Sequence, residues 1–166
     1  MVVYMGEVTL ENLDIATLAM LTGEAARARM TARIRALGFS GIRSAHGYVF
    51  QHLIDRAPTV GELAEQLGVT QQRASKLVSE LESLGYVRRH GDPADSRVRR
   101  IALTERGTDC VAAARRLRAQ WHAALARRLG TSAMTALTTG LAAFADQLGI
   151  EEPVRERRVA LPPHER

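Results

Sequence analysis

Between Thr59 and Leu84 the chain carries two apolar stripes at helical spacing with almost nothing between them. Val60, Leu63, Ala64 and Leu67 make the first, Ala74, Leu77, Val78, Leu81 and Leu84 the second, and only the six residues from Gly68 to Arg73 intervene. Pro58 and Thr59 open the first helix, Gly68 stops it, and Thr70 caps the start of the second. So short a link makes the two helices cross and share one small core. Gly85 ends the second helix, and the rhythm then changes. Tyr86–His90 and Val98–Leu103 read as strands, and Gly91–Ser96 between them holds Gly, Asp, Pro, Ala, Asp and Ser, residues of a turn. A β-hairpin therefore interrupts an otherwise helical chain.

The flanks are helical by pattern. Leu10 to Leu37 reads as one long helix ended by Gly38, and Ser40 is the expected cap of a second helix burying Ala45, Val49, Phe50 and Leu53. Beyond the hairpin, Thr104 caps a helix from Glu105 to about Leu129, with Val111, Ala114, Leu117, Trp121 and Leu125 on one side. Thr131 is the expected cap of a last helix that presents Met134, Leu137, Leu141, Phe144 and Leu148 and ends at Gly149. The segment Glu151–Arg166 contains prolines and many charges, and is expected to be poorly ordered or draped over a partner. The fold class expected is mainly α with a small β-hairpin wing (α+β).

Several function classes find no support. Aromatics make up 4% of the chain and the formal charge is +5, a balance compatible with a polyanionic partner. Cys110 is the one cysteine, so neither an intrachain disulfide nor a cysteine zinc cage is available. No apolar run is long enough to span a bilayer, and Met1–Glu7 lacks the basic and apolar regions of a secretory leader, so a cytoplasmic protein is expected. There is no Ser/His/Asp spacing, no glycine-rich phosphate loop and no pair of acids suited to a cleft, so enzyme activity is not expected.

The two crossed helices form a helix-turn-helix, in which the first braces the second against a major groove. On the second helix Gln71, Gln72, Ser75, Lys76 and Ser79 make one strip opposite the buried stripe. Gln can address adenine edges, Ser bases or phosphates, and Lys guanine or phosphate. Taken alone, such a strip is equally a solvated helix face. The hairpin adds Arg88, Arg89, Arg97, Arg99 and Arg100 on its strands, with Asp92 and Asp95 at its tip. An arginine there can reach into a narrow minor groove, and Asp95 is spaced to hold the Arg97 guanidinium in one direction. The plain alternative is an edge hairpin guarded by charge.

The segment Asp92-Pro93-Ala94-Asp95-Ser96-Arg97, with Ile101-Ala102-Leu103-Thr104-Glu105-Arg106-Gly107 after it, resembles the wing signature of the MarR family of regulators. Glu62-Leu63-Ala64-Glu65-Gln66-Leu67-Gly68-Val69 and Leu81-Glu82-Ser83-Leu84-Gly85-Tyr86-Val87-Arg88-Arg89 resemble the same family, so the likeness runs from about Ser40 to Gly107. It implies a homodimer on double-stranded DNA, with interlocked terminal helices and an inverted-repeat operator. The corresponding organisation is an N-terminal dimerisation helix over 1–38, a winged helix-turn-helix lobe over 39–103, C-terminal dimerisation helices over 104–149 and a charged tail over 150–166. The apolar stripes of the terminal helices, which so small a lobe cannot cover, agree with this. The expected DNA-facing residues are Ser40, Thr70, Gln71, Gln72, Arg73, Ser75, Lys76, Arg88, Asp95, Arg97 and Arg99, with Arg97 as the minor-groove arginine.

Many relatives release DNA when a small molecule binds between the lobe and the dimerisation helices. Here His46, Tyr48, Phe50 and Trp121 are the candidates for lining such a pocket, together with Phe39 and Ile42. Relatives often carry Gln where His46 stands. Cys110 as a redox thiol is outweighed by simple packing, and the five scattered histidines form no metal cluster, so no cofactor or metal is expected. The functional expectation is a sequence-specific regulator of transcription, a repressor released by a small-molecule effector. The alternative is a winged-helix module for protein contacts, against which the polar Gln71/Gln72/Ser75/Lys76 strip argues.

Overall fold

The computed structural model describes residues 9–95, 97–155 and 160–162. Ser96 of the hairpin, the opening residues 1–8 and parts of the tail lie outside the described residues. After a single 3-10 turn at Leu10–Asn12 come α1 (Ile15–Ala36), α2 (Ser44–Leu53), α3 (Val60–Leu67), α4 (Gln71–Ser83), β1 (Val87–Gly91), β2 (Arg99–Leu103), α5 (Glu105–Leu129), α6 (Thr131–Gln147) and α7 (Glu151–Arg155). The order is that of a winged helix between long helical flanks. No helix among the described residues is long and apolar enough to cross a membrane.

Three helix starts differ from the expected ones, each for a local reason. The first long helix begins at Ile15 and not at Leu10, because the Asp14 carboxylate accepts from the Thr17 backbone N–H at 2.9 Å and from its hydroxyl at 2.7 Å. Ser40 does not cap α2; Gly41 turns the chain at φ 75° and Arg43 takes the cap position, its N–H donating to Nδ1 of His46 at 3.3 Å. Thr131 is the first residue of α6, and the cap position belongs to Gly130. By contrast Thr59 and Glu62 close a reciprocal box at the head of α3 (3.2 Å and 2.7 Å), and the Thr70 hydroxyl accepts from Arg73 N–H at 3.2 Å at the head of α4.

The lobe's core is made by residues of every element between α1 and α5, with Ala45, Val49, Leu63, Leu67, Leu77, Val78, Leu81 and Ile101 fully buried. Tyr86 sits at its centre. Its hydroxyl donates to the Ser40 carbonyl at 2.9 Å, the Arg106 guanidinium lies 4.8 Å over its ring, and the rings of Phe39 and Phe50 pack at 6.4 Å and 6.0 Å. One residue thus joins the α1–α2 link, the hairpin and α5. The strands pair antiparallel with Val87 opposite Leu103 and Arg89 opposite Ile101, and the Ile101 N–H donates outward to the Pro58 carbonyl at 2.9 Å. Helix α5 meets the hairpin so closely that a Cβ on Gly107 would lie 2.1 Å from the Tyr86 carbonyl oxygen. Only glycine fits there.

Outside the lobe the picture reverses. Helix α6 has no buried residue, and Leu137 and Leu141 stay 38% and 44% exposed. Of the tail, expected to be poorly ordered or draped over a partner, the described residues are α7 and 160–162, and the latter lie against the chain's own lobe. There Leu161 is fully buried and its N–H donates to the Leu67 carbonyl at 2.9 Å.

Candidate nucleic-acid interface

Helix α4 divides by face as its sequence period dictates. Ala74, Leu77, Val78 and Leu81 are buried, while Gln71, Gln72, Lys76 and Ser79 are exposed and Ser75 is half-buried. Thr70, also exposed, caps the helix with its hydroxyl, so its side chain has a structural task already. The exposed strip therefore begins at the helix N-terminus, where backbone N–H groups and the helix dipole favour an anion. Arg73 departs from the strip: it is half-buried, and its charge bears on His46 inside the lobe. Ser40 is exposed, and its backbone carbonyl accepts from the Tyr86 hydroxyl.

The hairpin arginines separate into two kinds. Arg89 donates to Glu82 at 2.6 Å and to the Ser79 hydroxyl at 3.1 Å, which clamps β1 to the end of α4. Arg100 pairs with Asp92 and donates to the Ala57 carbonyl at 3.0 Å, and it lies 3.7 Å from Glu62 at the head of α3. The hydrogen bond from Arg100 holds the Asp92 carboxyl below the usual carboxylate range. Arg88, Arg97 and Arg99 are exposed and have no ion pair among the described residues. Asp95 does not hold the Arg97 guanidinium, as its spacing suggested. Its carboxylate accepts the backbone N–H of Arg97 at 2.9 Å and so shapes the turn. A side chain so short satisfies the neighbouring backbone first, leaving the Arg97 guanidinium to the solvent.

Three side chains that sequence reasoning did not bring together meet between α2 and α4. Arg43, at the head of α2, forms an ion pair with Glu80 of α4, and Nε2 of His46 lies 3.2 Å from the same carboxylate. Nδ1 of His46 accepts from Arg43 N–H, so Nε2 carries the proton and donates to Glu80. Burial, then the charges of Arg43 and Arg73, push the imidazole down to about 4. His46 is thus a neutral bracket between α2 and α4, and not a pocket residue as expected. The partners lie 37 and 34 residues apart in sequence, and no local pattern signals such a contact.

A cavity of about 550 Å³ opens between α1, α2 and α5. Tyr48, Phe50 and Trp121 line it, with Met30, Ile34 and Val111, and Arg27, Arg43 and Arg118 add charge. Phe39 is absent from its lining and Ile42 is present. Cys110 also reaches it, but burial pushes its thiol up to about 11, so it stays protonated near neutral pH. Among the described residues no group of His, Cys, Asp and Glu is placed to hold a metal ion.

Residues 40–98 match the model of the MarR family. Over this segment the chain is similar to the MarR family. A stretch of 75 residues is 36% identical to HTH-type transcriptional regulators of Mycobacterium bovis and Mycobacterium tuberculosis, covering 45% of this chain and 50% of theirs. The match thus spans about half the length of these curated relatives. Among solved structures, RV1404 from Mycobacterium tuberculosis superposes with a TM-score of 0.68 at 23% identity, over 85% of this chain and 97% of that one. A mutant of MepR from S. aureus, bound to an oligodeoxyribonucleotide, superposes with a TM-score of 0.60 at 19% identity, over 82% and 99%. At such identities the likeness is one of fold, and it extends through the terminal helices. The MarR-family match itself takes in α2 to α4 and the hairpin tip, with Gln71, Gln72, Lys76, Arg88 and Arg97, and stops short of Arg99.

Proposed function

We propose that the chain is a sequence-specific DNA-binding regulator of transcription that acts as a homodimer. The observation that carries this reading is the strip of exposed Gln71, Gln72 and Lys76 with half-buried Ser75 at the head of α4, flanked on the wing by the exposed side chains of Arg88, Arg97 and Arg99, which have no ion pair among the described residues. The strip supplies donors and acceptors for base edges in a major groove, and the wing supplies cations for the backbone and the adjoining minor groove. Two copies joined through the apolar faces of α1, α5 and α6 would set two such strips one helical turn apart, on an inverted repeat. The DNA bound by the MepR mutant supports this use of the fold. The protein works in the cytoplasm as a repressor, and has no enzymatic role. The cavity beside Tyr48, Phe50 and Trp121 receives the small molecule that releases it, an amphipathic compound suited to an apolar wall edged by arginines.

The test is a fluorescence-anisotropy titration of the chain against its own upstream DNA and a scrambled duplex, at two salt concentrations. Tight, salt-sensitive binding that prefers the upstream fragment is expected. Equal and weak binding to both, and to a genomic library of fragments, would replace the reading with a winged-helix module for protein contacts.

A further inference from the structure

The end of the described chain lies against the helix-turn-helix in a way the regulator reading does not use. Leu161 is fully buried in the same core as Leu63, Leu67 and Leu77. Its N–H donates to the Leu67 carbonyl at 2.9 Å, a carbonyl in the last turn of α3 that has no partner further along the helix. The preceding Ala160 places its Cβ 3.4 Å from where a Cβ on Gly68 would stand. A buried side chain, a backbone hydrogen bond and a close side-chain contact at Gly68 therefore coincide at the α3–α4 turn.

We propose that Ala160–Pro162 is an intramolecular strap: Leu161 plugs the reading lobe at the end of α3 and ties it to the α6–α7 end of the same chain. The lobe is otherwise joined to the helical flanks at the α1–α2 link and the β2–α5 junction, where Ile34 of α1 and Cys110, Ala113 and Leu117 of α5 pack into its core. The strap adds a tether on the opposite side, at the α3–α4 turn, and a short one, because the five peptide steps from Arg155 to Ala160 span at most about 18 Å. It leaves Gln71, Gln72 and Lys76 exposed, so it does not act by covering the reading strip. Its effect is to hold the α3–α4 turn, and with it the head of α4, at a set distance from the dimerising helices. That consequence for DNA rests on the regulator reading; the strap itself does not.

The geometry offers a direct test in the full chain. A Gly68→Cys/Ala160→Cys double variant sets two Cβ atoms at a disulfide's separation, while the buried Cys110 keeps its proton and stays out of the exchange. Mild oxidation should give a link within one chain, seen on a non-reducing denaturing gel and by peptide mapping. A link between two chains, or none in a folded variant, overturns the proposal. Because residue 68 holds a left-handed backbone that disfavours any side chain, hydrogen exchange of the unaltered protein is the independent measure. The Leu161 amide should exchange at least tenfold slower than in the free peptide. In Leu161→Asp it and the end of α3 should lose protection while α5 and α6 keep theirs. An unprotected Leu161 amide in the unaltered protein overturns the strap. On the operator, Leu161→Asp should bind about tenfold more weakly; unchanged affinity with lost protection would remove the strap from DNA reading. If the unaltered protein binds no operator at all, the regulator reading has failed, and the cross-link still judges the strap.

Discussion

Five arginines on one hairpin do two different things, and the partner within reach decides which. Arg89 and Arg100 have carboxylates and carbonyls beside them and brace the hairpin against α4 and α3; Arg88, Arg97 and Arg99 face solvent. Arg97→Ala should therefore weaken operator binding by about 1–3 kcal/mol, roughly ten- to a hundredfold, while the melting temperature measured beside it stays unchanged. Equal binding by the variant would take the wing out of the interface. Gln72→Ala should act on the choice of base, losing more affinity on the operator than on scrambled DNA; equal losses on the two would refute direct readout by this residue. His46 makes a prediction in pH. Its pKa is ordinarily 6.5 and in the fold about 4, so the folded state prefers the neutral ring. The stability this supplies is whole above about pH 6.5 and is lost as pH falls toward 4, at a limiting slope of about 1.4 kcal/mol per pH unit. The groups facing the ring are Arg43 and Arg73, which oppose its protonation, and the Glu80 carboxylate, already paired with Arg43. His46→Gln should flatten this part of the curve when denaturant midpoints are compared at pH 7 and pH 5.

At the scale of elements, boundaries are set by small groups near the chain. The Thr59/Glu62 box starts α3, Gly68 ends it in a left-handed turn, and Thr104 starts α5 by accepting from Gly107 N–H at 3.1 Å. Signals of this kind are local, and so they are legible in sequence. The failed expectations were equally local but had two candidates: Asp14 competed with the Leu10 stripe, and Gly41 and Arg43 competed with Ser40. Gly107 tests how hairpin and helix meet. In Gly107→Ala the added methyl would clash with a backbone carbonyl that cannot move without breaking the Thr104–Tyr86 hydrogen bond, 3.0 Å long. A loss of about 1–3 kcal/mol is expected, the usual range for overpacking, read as a lower denaturant midpoint. Substituting the exposed Gly140, where a Cβ meets nothing, should cost nothing and is the control.

At the scale of the molecule, the chain buries one core well and leaves another unfinished. The lobe is closed around Tyr86, whereas α6 exposes its apolar face along its length and α1 and α5 show Ile15, Met20, Leu21, Leu125 and Leu129. Apolar patches on this scale mark a partner surface, and two copies with interlocked flanks would cover them. Leu141→Glu should shift sedimentation toward the monomer and abolish tight operator binding, with the lobe's own helices retained by circular dichroism. A monomeric wild-type chain that still bound its operator tightly would refute the dimer.

Patterns with a short period were readable in the residues themselves. The stripes of α3 and α4, the turn between them, the change of rhythm at Gly85 and the charged hairpin follow from propensity, capping and alternation, all settled within a few residues. The tertiary structure decided whatever depends on residues far apart in the chain. It turned His46 from a pocket wall into a bracket on Glu80, gave Arg100 to Asp92 and left Arg97 free of Asp95, and brought Leu161 back to Leu67. A charge or an apolar side chain takes whichever partner the fold carries to it, and across such separations no periodicity in the sequence records which one that is.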